Sequence, residues 1–202
     1  MSGPQLESAV AAIRSGRPAI VPTDTVYGLV TSPYHEEPVR RLYRLKRRDA
    51  AQPTALIAAD LDILFECVPE LRGRAGVVAG AVLPGPFTLV LANPARRFRW
   101  LAGSNPEAIG VRVPSVSGTA GELLDRVGAV AGTSANLHGG PEARRLADVP
   151  SELLAACAAV DGGELPGVPS TVIDFTGPAP VVLREGAGDA ADAIARAREA
   201  VG

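Results

Sequence analysis

Residues 171–184 read TVIDFTGPAPVVLR. Two β-branched runs, Thr171–Phe175 and Val181–Arg184, flank the turn-forming Thr176-Gly177-Pro178-Ala179-Pro180. A parallel pairing needs a crossover of about a dozen residues, so these two strands must run antiparallel. Working back from this hairpin, helical and extended patterns alternate. Leu6, Ala9, Val10 and Ile13 give helical spacing over 5–15, closed by Gly16, and Ala19–Val21 is a short apolar strand. Residues 37–48 read as a helix with Pro38 in its first turn. Thr54–Ala59 is a strand, Asp60 caps a short helix, and 69–80 is helical. Phe87–Ala92 and Ile109–Val113 are strands, and 119–127 is a helix ended by Gly128. Val130–Thr133 is a strand, 151–159 a helix capped by Ser151, and Asp189 caps a last helix to about Val201. Alternation with connections of unequal length predicts an α/β fold: one domain over 1–202, with a twisted, mixed sheet flanked by helices.

Composition narrows the function classes. The 202 residues are 47% apolar and 21% charged, enough to bury a sizeable core. Gly (22) and Pro (18) make up about a fifth of the chain and predict many tight turns. A net charge of -2 excludes a globally basic nucleic-acid coat. No apolar run approaches the roughly 18 residues of a membrane span. Met1–Glu7 lacks a basic and an apolar region, so no signal peptide is read. The expected location is the cytoplasm, with Cys67 and Cys157 reduced. Two cysteines and two histidines at unrelated spacings predict no metal site.

The chemistry concentrates in loops at strand ends. They are Pro22–Gly28, Pro84–Pro86, Thr133–Asn136 followed by His138-Gly139-Gly140, and Gly167–Thr171. Small hydroxyls and free backbone amides there are where α/β folds place ligands. Lys46 is the only lysine among 20 basic residues, as if its position required a compact point charge. Val39, Leu42 and Tyr43 define an apolar stripe whose next member at i+7 is Lys46, so this ammonium points inward at a helix end, with Arg48 close behind. A Lys and an Arg converging there suit a polyphosphate. The alternatives for the basic run 40–48 are a solvated face and an RNA patch. The Thr-Ser-Ala-Asn stretch, through Asn136 and the following glycines, offers groups for phosphate or ribose. Arg112 alternates with Val111 and Val113, which sends it to the opposite face of its strand, either into a cavity or out to solvent. Neither GxSxG nor GxxxxGK[ST] occurs, so any reaction proceeds by positioning and charge stabilisation.

Taken in order, Pro22–Leu29 (PTDTVYGL), Lys46-Arg47-Arg48, Pro84–Thr88 (PGPFT), Val111–Pro114 (VRVP), Ser134-Ala135-Asn136, Pro169–Asp174 (PSTVID) and Leu183–Gly186 (LREG) resemble the YrdC/TsaC family, the threonylcarbamoyl-AMP synthases. The resemblance runs from about residue 5 to 188. It implies an α/β fold around a deep, positively lined cavity, without the extra C-terminal domain of longer members. It implies conversion of L-threonine, bicarbonate and ATP, with Mg2+, to L-threonylcarbamoyl-AMP and pyrophosphate. A separate tRNA threonylcarbamoyl transferase downstream would use that product for the N6-threonylcarbamoyladenosine modification. By motif, Thr25, Arg112, Ser134 and Ser170 would face threonine, and Lys46, Arg48, Gln52, Asn136 and Arg184 would face ATP, with Lys46, Arg48 and Arg112 catalytic. The sequence departs from the family pattern at Asp49, Gln52, Ile57 and His138. The alternative functions are an RNA-binding or ribosome-associated module, with tRNA or double-stranded RNA on the 40–48 run, and another carbamoyl or acyl-adenylate reaction.

Overall fold

The computed structural model describes residues 3–202, so the reading of Met1–Glu7 lies partly outside them. In chain order the helices are α1 (Pro4–Arg14), α2 (Glu36–Lys46), α3 (Leu61–Cys67), α4 (Arg74–Val82), α5 (Gly118–Val127), α6 (Ser151–Ala156) and α7 (Ala190–Val201). The strands are β1 (Ala19–Val21), β2 (Gly28–Thr31), β3 (Ala55–Ala58), β4 (Phe87–Ala92), β5 (Ala108–Arg112), β6 (Ala129–Ser134), β7 (Ala158–Ala159), β8 (Thr171–Asp174) and β9 (Val181–Arg184). Among the described residues these strands form one sheet in the order β7-β1-β2-β6-β3-β5-β4-β8-β9. The sheet is mixed, as expected. β8 and β9 pair antiparallel, while β3–β5, β4–β8 and β1–β7 are parallel.

Period-two geometry divides the sheet into two faces. Leu56 and Ala58 of β3, Leu89 and Leu91 of β4, Ile109 and Val111 of β5 and Ile173 of β8 point to one face, where α2, α3, α4 and α7 cover them. Ile57 and Val130 point to the other face, which α1 and α5 cover over part of the sheet. Over β4, β5 and β8 that second face carries Thr88, Val90, Gly110, Arg112, Val172 and Asp174, and a cavity takes the place of a helix.

Four local readings are corrected. The helix begun at residue 36 stops at Lys46, because Arg47 adopts the left-handed conformation with φ 53° and turns the chain. The segment 69–80 is broken at Gly73 into a 3₁₀ turn, Pro69–Arg72, and α4. Ser151 is the first residue of α6 rather than its cap, and the helix ends at Ala156. Ala158–Ala159 then pairs with β1 at the sheet edge. Strand β2 was not foreseen, since its four residues are buried on both faces and show no alternation. Other signals hold. Asp60 Oδ1 accepts from the Ile63 amide, Asp189 Oδ1 accepts from the Asp192 amide, and Gly128 closes α5 at φ 75°.

Candidate functional site

The uncovered part of the second face is a cavity of about 390 Å³, in the range of small-molecule sites. Its floor is built from small residues, Gly110, Gly132, Ala55 and Ala108. A Cβ added at Gly110 would meet nothing closer than 3.7 Å. The walls bring together Arg48, Arg112, Ser134, Ser170 and Arg184. Lys46, Asn136, Thr25 and Gln52 stand behind the wall and reach it through hydrogen bonds.

Lys46 closes the apolar stripe of α2, as its i+7 position implies, and is 4% exposed. Its ammonium donates to the carbonyls of Ser134 (2.6 Å) and Asn136 (2.9 Å) and to Asn136 Oδ1 (2.5 Å). Its three protons therefore clamp the turn after β6. Asn136 completes the clamp by accepting from Ser134 Oγ and donating to the Gly140 carbonyl at 2.6 Å. Burial pulls the Lys46 pKa down to about 8; the charge of Glu142 opposes this and that of Arg48 adds to it.

Arg48, two residues past the helix end, donates to Gln52 Oε1 (2.9 Å), Thr133 Oγ1 (3.0 Å) and the Pro53 carbonyl (2.6 Å), and lies 6.0 Å from the Tyr43 ring centre. Gln52 thus steadies Arg48 instead of lining the cavity. Arg184, at the end of β9, donates through Nε and Nη2 to the Ser170 carbonyl, and through Nη2 to Ser170 Oγ. Ser170 Oγ is also 2.9 Å from Thr88 Oγ1. The Pro169–Thr171 backbone is held where it is because Gly186 packs directly on it; a Cβ there would lie 2.2 Å from the Pro169 carbonyl oxygen. Arg112 faces the cavity while Val111 and Val113 enter the core, as the alternation implies. Its Nη2 donates to Thr25 Oγ1 at 2.8 Å and to Asp24 Oδ1.

The electrostatics are lopsided. Among the described residues, Lys46, Arg48 and Arg184 bond to neutral oxygens, and only Arg112 has a carboxylate partner. Burial lowers the pKa of Arg48 and of Arg184, and neighbouring cations add to the lowering: Arg184 acts on Arg48, and Arg112 on Arg184. Lys46 is buried, Arg48 half-buried and Arg184 exposed, and all three stand without a hydrogen-bonded anion, an arrangement that a polyanion would complete. By contrast, three of the four exposed arginines of the same segment are already paired, Arg40 with Glu36, Arg44 with Glu37 and Arg47 with Glu152. That pairing weakens the run 40–48 as an RNA patch.

Sequence reasoning missed Asp24, Thr133, Thr88 and Glu142. Asp24 and Thr133 sit inside quoted loops, where small polar residues were the available signal. Glu142 had no signal, yet one of its carboxylate oxygens is buried without a hydrogen-bond partner and its charge acts on Lys46 and Arg184. Cys67 and Cys157 are free and half-buried; burial raises both thiols, Cys157 to about 11.

The Sua5/YciO/YrdC family model, described as telomere recombination, matches residues 11–186. The threonylcarbamoyl-AMP synthase of Methylococcus capsulatus is 37% identical over 144 residues, 71% of this chain and 77% of that protein. The crystal structure of Pyrococcus abyssi Sua5 complexed with L-threonine superposes with a TM-score of 0.81 at 33% identity, covering 90% of this chain and 54% of that one. This chain therefore spans about half the length of the Pyrococcus protein. Escherichia coli YciO superposes with a TM-score of 0.81 at 28% identity, covering 95% of both chains.

Proposed function

Because the chain belongs to the Sua5/YciO/YrdC family, we propose that it is an L-threonylcarbamoyladenylate synthase serving the N6-threonylcarbamoyladenosine modification of tRNA. The observation that carries this is the division of one cavity into two kinds of charge. Lys46, Arg48 and Arg184 have no carboxylate partner, whereas Arg112 is paired with Asp24 and donates to the Thr25 hydroxyl. The unpaired cations suit a triphosphate, and the Arg112 corner suits an amino-acid carboxylate. Two differently charged substrates in one cavity are what a nucleotidyl transfer to a carboxylated amino acid requires.

The amine of threonine adds to the carbon of bicarbonate, giving a carbamate and water. A carbamate oxygen then attacks the α-phosphorus of ATP, the bond to the β-phosphate oxygen breaks, and pyrophosphate leaves. Arg48 and Arg184 face the charge that grows on the departing pyrophosphate, and Arg112 with Thr25 holds the threonine carboxylate so that its nitrogen is aligned. Lys46 and Asn136 fix the turn at Ser134 between the two substrates. Magnesium enters on the triphosphate: among the described residues no group of three His, Cys, Asp or Glu side chains could hold it. Also among them, no helix is long and apolar enough to cross a membrane; a cytoplasmic location and a downstream tRNA threonylcarbamoyl transferase accord with this reading.

The test is pyrophosphate release from ATP with L-threonine and bicarbonate, each omitted in turn. Release should require both. Release that ignores the amino acid, or that prefers another one, would overturn the assignment.

A further inference from the structure

A guanidinium has five N–H donors, and both edges that can grip a carboxylate bidentately, Nε with Nη2 and Nη1 with Nη2, share Nη2. In Arg112 that shared nitrogen is already engaged by Asp24 Oδ1 and Thr25 Oγ1. Nε, by contrast, is shut off from solvent and has no partner among the described residues. Arg112 as a whole is 7% exposed. An oxygen the size of water cannot reach Nε, so the group left for a ligand is Nη1, which has no protein partner among the described residues and, unlike Nε, is not shut off from solvent.

Asp24 is fixed in its turn. Its Oδ2 accepts from the backbone amide of Ser115 at 3.0 Å, and its side chain is 10% exposed. Thr25 is held by Thr23, whose hydroxyl lies 3.0 Å from Thr25 Oγ1 and donates to the Val26 carbonyl at 2.7 Å. Arg112 lines the cavity and Asp24 does not. The carboxylate therefore braces the guanidinium from behind, across 88 positions of sequence.

Resting on the amino-acid reading of this corner, we propose that Asp24 is a positioning residue for substrate selection: it anchors Nη2 of Arg112 so that the unpartnered Nη1 meets the carboxylate of the amino acid. Arg112 then recognises that carboxylate by a directed bond. Its charge is already balanced, so the triphosphate is drawn to the unpaired Arg48 and Arg184 instead. Asparagine cannot replace Asp24. Whichever way its amide is turned, the NH2 group faces a donor, either Arg112 Nη2 or the Ser115 amide. Glutamate keeps two acceptors.

The test is steady-state pyrophosphate release by the full chain, varying threonine at saturating ATP and the reverse. Asp24→Asn should raise the threonine KM about tenfold while leaving the ATP KM within about twofold, and Asp24→Glu should recover most of the loss. In an Arg112→Lys background, Asp24→Asn should add little, because it acts through the guanidinium already removed. A folded Asp24→Asn with an unchanged threonine KM, an equal rise in both KM values, or full additivity with Arg112→Lys would overturn the proposal. If Asp24→Asn does not fold, Ser115→Pro decides: it removes the amide that anchors Oδ2, and a folded variant with an unchanged threonine KM would also overturn it. Wild-type protein that shows no threonine-dependent release would instead sink the parent reading, and this proposal with it.

Discussion

Replacing Lys46 with methionine tests whether this residue is a structural clamp as well as an anion contact. The ammonium holds three acceptors, the carbonyls of Ser134 and Asn136 and Asn136 Oδ1, at 2.6, 2.9 and 2.5 Å. Hydrogen bonds to a charged group contribute roughly 1.5–3 kcal/mol each. Methionine fills similar space and removes all three bonds, leaving Asn136 Oδ1 only the Ser134 hydroxyl as a donor. Opposing this, burial holds the Lys46 pKa near 8 against an ordinary 10.5, so removing the charge returns roughly 3 kcal/mol. The net expectation is a loss of about 1.5–6 kcal/mol, which for a chain of this size lowers Tm by roughly 5–20 °C. Differential scanning calorimetry of Lys46→Met beside exposed Arg41→Met measures it; the Arg41 variant should lie within about 0.5 kcal/mol of wild type. A Lys46→Met melting temperature no lower than that control, whatever happens to ATP binding, would refute the clamp.

Arg112→Lys should raise the threonine KM about tenfold and leave ATP binding nearly unchanged, because a point charge cannot replace the planar donor array; equal loss for both substrates in initial-rate measurements would move Arg112 to the phosphates. Gly110→Leu should abolish calorimetric binding of both substrates while the melting temperature falls by only a few degrees, since the added side chain enters the cavity and its Cβ meets nothing closer than 3.7 Å; retained binding would place the ligands elsewhere. ATP affinity should be full below pH 8 and decline as pH rises through about 8, where Lys46 loses its proton. Over pH 8 to 10.5 the unliganded fold should grow more stable, because the unfolded chain still holds the proton that folded Lys46 has released. Flat titrations of both quantities would mean that Lys46 is not the group involved.

How far the sequence carried these conclusions depends on range. Lys46 was placed inward by counting i+7 along α2, and Arg112 was placed in the cavity by the alternation Val111-Arg112-Val113; both are short-range periodicities that a sheet or helix must obey. The hairpin β8–β9 was legible because five residues cannot span a parallel crossover. Strand β2 escaped because burial on both faces erases the alternation that marks a half-exposed strand. The left-handed turn at Arg47 escaped because nothing in Arg-Arg-Asp demands a positive φ. The site's second layer escaped for a different reason. Asp24 meets Arg112 across 88 positions, and Lys46 meets the 134–136 turn from about as far, so neither partnership leaves a local trace. Residue type could suggest that Lys46 binds phosphate, but only the fold shows that all three of its protons are already committed to Ser134 and Asn136.

The most direct measurement of the central claim is isotopic. The protein is incubated with ATP, L-threonine and carbon-13 bicarbonate, and the adenylate product is analysed by mass spectrometry as it forms. The account predicts a threonylcarbamoyl-AMP species carrying one labelled carbon, formed in step with pyrophosphate. Pyrophosphate or AMP appearing without label in an adenylate, or a labelled adenylate lacking threonine, would contradict it.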